Sequence, residues 1–66
     1  MELTEVGARL RDLRGEESPQ SLAKKLGITP QAIWMYENGE RMPRDEVKIA
    51  YSEYFHVPIG QLFYGE

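Results

Sequence analysis

Residues 18–38 read SPQSLAKKLGITPQAIWMYEN, and the punctuation of this stretch decides the fold. Ser18-Pro19-Gln20 and Thr29-Pro30-Gln31 repeat one device eleven residues apart. A hydroxyl side chain able to cap a helix is followed by a proline suited to the first helical position, where no N–H is required. Between them Gly27 follows Leu26, and a glycine can take the left-handed conformation that ends a helix without a Cβ penalty. Two short helices joined by a tight turn are expected, the first about two turns long. A helix that short buries too little to stand alone, so the flanking segments must supply the core.

Upstream, Leu3, Val6, Leu10 and Leu13 fall at spacings of three and four, the apolar stripe of a helix over Leu3–Arg14 with Thr4 as the expected cap. Gly15 supplies its stop. Gly7 inside this helix costs about 1 kcal/mol relative to alanine, which makes sense where another helix passes closely. In the second helix Leu22, Ala23 and Leu26 form the buried face, and Lys24 and Lys25 point outward, as solvated charges or as phosphate contacts. Downstream, residues 40–44 form a loop, and Asp45 is the expected cap of a fourth helix running to about Phe55. Val47, Tyr51, Tyr54 and Phe55 are its inner face, and His56 terminates it. A last short helix within Val57–Phe63 brings Ile59, Leu62 and Phe63 to the core. Whatever the core leaves of Phe63 and Tyr64 forms an apolar patch suited to a two-fold dimer contact. The expected architecture is an all-α, compact five-helix bundle, one domain over residues 1–66, with its second and third helices as a helix-turn-helix.

Sixty-six residues lie near the lower limit for a single unbraced core. The absence of cysteine excludes disulfides and thiolate metal sites, and the one histidine, His56, cannot build a zinc site alone. No catalytic constellation accompanies that histidine, so neither an enzyme nor a cofactor is implied, and no small-molecule ligand is evident. No apolar run approaches the roughly 20 residues of a membrane span, and MELTEVGARL has neither a basic start nor an apolar signal core; a cytoplasmic protein is expected.

The net charge of −3 argues at first against a polyanionic partner, but its distribution argues the other way. Residues 1–17 sum to −2 and residues 37–66 to −3, whereas residues 18–36 carry Lys24, Lys25 and no acid, giving +2. At about 100° per residue, Ile33, Tyr36 and the stem of Glu37 share one face of the third helix. Gln31, Trp34, Met35 and Asn38 share the other, an uncharged face with two amides. Glutamine can bond an adenine edge bidentately and apolar atoms can pack on a thymine methyl, both in the major groove. Trp34 and Met35 serve such a groove contact, or are covered by later helices or a second subunit. Glu37, near this face, needs a cationic partner if buried, with Arg14 preferred to Arg9 because its fork can tie the first helix to the third. Arg41 and Arg44 flank the end of the third helix, where they could clamp phosphates beside the acids Glu40, Asp45 and Glu46. The combination points to a DNA-binding regulator, with a protein-interaction module using the Trp34–Met35 face as the alternative.

These residues resemble the phage repressor and Cro-like helix-turn-helix domains of the XRE type. The resemblance runs from about Val6 to Phe63, through Val6-Gly7, Arg9-Leu10, Leu13-Arg14, Leu22-Ala23, Leu26-Gly27-Ile28-Thr29, Ile33, Tyr36-Glu37-Asn38-Gly39, Arg41, Pro43 and Leu62-Phe63. It implies a repressor-like five-helix domain that binds double-stranded operator DNA through its third helix, usually as a homodimer on an inverted repeat. By position it implies that Pro30, Gln31, Trp34 and Met35 face the bases or groove, that Ser18 and Asn38 face phosphate, and that Arg14 pairs with Glu37. The sequence departs from the family where Pro19 replaces the usual first glutamine of the second helix, leaving phosphate anchoring to Ser18 and to Gln20 with its neighbour Ser21. Trp34 is bulkier than the small polar residue common at its position, and Pro58 replaces a hydroxyl cap.

Overall fold

The computed structural model describes residues 2–66. Its elements are α1 (Leu3–Arg14), α2 (Pro19–Leu26), α3 (Pro30–Glu37), α4 (Asp45–Phe55) and α5 (Ile59–Phe63), with no strand among the described residues. Both repeated starts act as caps: the Ser18 hydroxyl accepts from the Ser21 N–H, and the Thr29 hydroxyl from the Ala32 N–H, each at 3.1 Å. Gly27 takes φ of 73°, and the chain turns there directly from α2 into the α3 cap. The two caps and one glycine therefore set the length of α2 and the direction in which α3 leaves it.

Two caps differ from expectation. Thr4 lies inside α1, whose cap is Glu2; the Glu2 N–H donates to the Glu5 carboxylate at 3.3 Å, the reciprocal half of a capping box. Arg44 caps α4 without a side-chain bond, and Asp45 is its first helical residue, where its charge faces the positive end of the helix dipole. At the end of α3 the chain turns on one residue. Asn38 keeps φ of −94°, and Gly39 alone takes the positive value, 71°.

Val6 and Leu10 from α1, Leu22 and Ala23 from α2, Ile33 and Tyr36 from α3, Val47 and Tyr51 from α4, and Leu62 and Phe63 from α5 form one buried cluster. Tyr51 is its largest member, edge-on to Phe63 with ring centroids 6.2 Å apart. Its hydroxyl has no protein hydrogen-bond partner among the described residues, and burial pushes this phenol well above its ordinary range. On α4 the inner face is narrower than periodicity indicated. Tyr54 and Phe55 are only half-buried, while Lys48 is buried to 9 % exposure, its ammonium donating to the Tyr64 hydroxyl at 2.7 Å. The lysine stem covers apolar surface and its head stays at the edge.

α1 passes closely against the end of α3. A Cβ on Gly7 would stand 2.5 Å from the Glu37 carbonyl oxygen and 2.7 Å from that of Tyr36. A Cβ on Gly39 would stand 2.9 Å from the Thr4 Cα. Both sides of the crossing thus lack side chains; the atoms obstructing a Cβ on Gly7 are backbone, which cannot rotate aside, and those at Gly39 are backbone and the Thr4 methyl. Gly7→Ala sets a helix-propensity gain of about 1 kcal/mol against an overpacking cost of about 1–3 kcal/mol, and the clash is with main chain. Urea unfolding should therefore show a net loss of stability of up to about 2 kcal/mol; an alanine variant more stable than the parent would disprove the close crossing.

Candidate nucleic-acid interface

The orientation of α3 follows from the crossing just described and from one ion pair. Ile33 and Tyr36 enter the core, so the opposite face of the helix is turned outward. Arg14 Nε donates to Glu37 Oε2 at 2.6 Å and Nη2 donates to Oε1 at 2.9 Å, a two-pronged contact between α1 and α3. The remaining prong, Nη1, donates to the Glu17 carbonyl at 2.8 Å and holds the α1–α2 turn as well. Glu37 is 5 % exposed and Arg14 14 %, so the carboxylate closest to the outward face of α3 is neutralised and withdrawn from solvent. Pairing with Glu37 also pushes the Arg14 guanidinium further up in pKa.

On the outward face Gln31 and Pro30 are exposed, and Trp34, 54 % exposed, is covered by no later helix. Asn38 is exposed too, but its amide is partly committed: Nδ2 donates to the Trp34 carbonyl at 2.8 Å and closes the end of α3. Met35 is half-buried and sits apart from these. It lines a groove of about 510 Å³ together with Thr29, Arg41, Met42 and Arg44, between the α2–α3 turn and the start of α4. Arg41 and Arg44 thus meet Met35 at one side of α3, with Glu46 in the same groove. Ser18 and Gln20 are exposed at the start of α2, where the Ser18 oxygen accepts the capping bond and its O–H remains available to an anion.

Glu17 organises a polar cluster that sequence reasoning missed. Its carboxylate accepts from Ser21 Oγ at 2.9 Å, pairs with Lys25 Nζ at 2.9 Å and accepts from the Tyr54 hydroxyl at 3.1 Å. The Ser21 contact spans four residues and was visible in principle; Tyr54 lies 37 residues away and carried no local signal. This cluster alters the charge tally of the acid-free window, because Lys25 is already engaged and Lys24 is left as its unpaired cation among the described residues. Lys25 first, then Ser21, holds the Glu17 carboxyl below its ordinary 4.5, while the Tyr54 hydroxyl and the Glu17 carboxylate raise Lys25. Arg9 is likewise employed within the fold, donating to the Gln61 carbonyl and tying α1 to α5.

Residues 10–62 match the helix-turn-helix family model, and the chain belongs to that family, of the XRE and Cro-like type. It is accordingly a DNA-binding helix-turn-helix regulator by class, in a family that is generally non-enzymatic. No curated protein and no solved structure matches the chain. No helix among the described residues is long and apolar enough to cross a membrane.

Arg14→Ala leaves the Glu37 carboxylate buried without its counter-ion and should destabilise the fold by about 3–5 kcal/mol in urea unfolding. The double variant Arg14→Met/Glu37→Leu should regain most of that, since no charge is left stranded; a double variant as unstable as the single one would contradict this account. Glu17 gives a pH dependence of determined sign. Its folded pKa is depressed, so its contribution is present above the ordinary 4.5 and is lost as pH falls through the lower folded value. Thermal melts from neutrality into that acid range should fall less for Glu17→Gln than for the parent, and parallel curves would count against the cluster.

Proposed function

We propose that this protein is a transcriptional repressor of bacterial, phage or mobile-element type that occupies a double-stranded DNA operator with α3 in the major groove. The observation that carries the proposal is the outward face of α3, uncharged and exposed at Gln31 and Trp34, with the one carboxylate of that helix, Glu37, bound by Arg14. Gln31 reads a base edge through its amide, Trp34 supplies apolar contact, and Pro30 and Met35 lie along the groove walls. Ser18 and Gln20 at the α2 start, Asn38 at the α3 end, and Arg41 and Arg44 in the following loop anchor phosphates and set the register. Two copies bind an inverted repeat, and the protein acts in the cytoplasm. The Asn38 contribution is one N–H, since the other is donated to the Trp34 carbonyl.

A protein-interaction role for the same face has one observation in its favour, an exposed tryptophan on a chain of net charge −3. The two roles separate on DNA. Gln31→Ala should cost about 1–3 kcal/mol at one base pair of a selected operator and relax discrimination there, measured by competition binding against single-site variants. Arg41→Ala should weaken all sequences alike and shallow the slope of log K against log salt by about one. Unchanged discrimination in the first variant would sink the Gln31 assignment, and failure of the parent protein to enrich any DNA sequence would favour the protein-interaction role.

A further inference from the structure

The chemistry left exposed on α3 narrows the operator itself, given the DNA-reading role proposed above. In the major groove guanine presents two acceptors and is matched by converging donors of arginine or lysine. Residues 30–37 contain neither. Cytosine presents an amino donor and is matched by a carboxylate. The one carboxylate of α3, Glu37, has both oxygens held by Arg14 and lies on the face away from Gln31. Adenine presents an acceptor beside a donor, the pattern of an amide, and Gln31 is an exposed amide with no hydrogen bond inside the chain among the described residues. Thymine presents a methyl group and a carbonyl. Trp34, one turn from Gln31, offers both complements, an apolar ring surface and a single N–H donor.

The cations left unpaired among the described residues stand off this helix: Arg11 on α1, Lys24 in the last turn of α2, and Arg41 and Arg44 in the loop after α3, on the groove side with Met35. The second amide of the face, Asn38, has one of its two N–H groups committed to the Trp34 carbonyl. We infer that the half-site lying under α3 is an A·T segment, in which an adenine is read by Gln31 and a thymine methyl packs against Trp34.

The test uses duplexes selected from random DNA by the full chain, followed by replacement of each half-site thymine with deoxyuridine, which removes the methyl and keeps the pairing. For the parent protein one such replacement should weaken binding about fourfold, the weight of one buried methyl group. With Trp34→Ala the same replacement should have no effect, and because Trp34 is exposed this variant keeps the fold. Selected half-sites dominated by G·C pairs, or tight specific binding indifferent to every thymine methyl, would overturn the inference while leaving operator binding intact. Absence of any selected sequence would overturn it together with the DNA-reading role.

Discussion

The outward side of this molecule depends on how closely α1 is allowed to approach the end of α3. Gly7 and Gly39 remove the side chains from both sides of that crossing, and the backbone of each helix then sits where a Cβ would have been. The approach brings the C-terminus of α1 alongside Glu37, where Arg14 can grip the carboxylate with two prongs and the α1–α2 turn with a third. A buried pair of this kind contributes little net stability compared with apolar residues of the same shape, but a broken one is expensive. Its value here is orientational: it fixes the rotation of α3 about its axis, and with it which residues face out.

That rotation reconciles an acidic chain with a polyanionic partner. The negative charge lies outside residues 18–36, which sum to +2, and the outward face of α3 carries no charge. On the proposed reading, phosphate attraction comes from a few cations at the margins, Lys24, Arg41 and Arg44, and from the helix starts at Ser18 and Thr29. Lys25 contributes less than its exposure implies, because Glu17, Tyr54 and Ser21 hold it and its counter-ion within the fold. A binder built this way relies on short-range complementarity more than on long-range field, since the cations are few and acids such as Glu46 stand among them.

Much of this was legible in the sequence because it is written in local chemistry. The S/T-P-Q starts and Gly27 announce α2 and α3 through caps and a left-handed turn, and these depend on no distant residue. Gly7 was an anomaly within an apolar stripe, and an anomaly of that kind has few physical explanations besides close approach. Glu37 was conspicuous as a carboxylate at the edge of an uncharged face. The features that escaped are those decided by tertiary packing. Lys48 is buried because Tyr64 folds back over α4, a contact between residues 16 apart with no periodic signature. Glu17 gathers partners from α2 and α4, and Met35, grouped by helical angle with Trp34, lines the groove with Met42 from the following loop. The caps of α1 and α4 each fell two residues or one from the expected position, since acids near a helix start are suited to several places in its first turn.

The central claim, that the outward face of α3 is the surface that meets DNA, is tested most directly by nuclear magnetic resonance titration of the labelled protein with its selected operator duplex. The largest shifts are expected at the Trp34 indole N–H, the Gln31 side-chain amide and the backbone amides of Ser21 and Ala32, with the exposed α4–α5 surface around Ile49 and Tyr64 little affected. An unmoved Trp34 indole and Gln31 amide, with shifts concentrated instead on the Ile49–Tyr64 side, would contradict it.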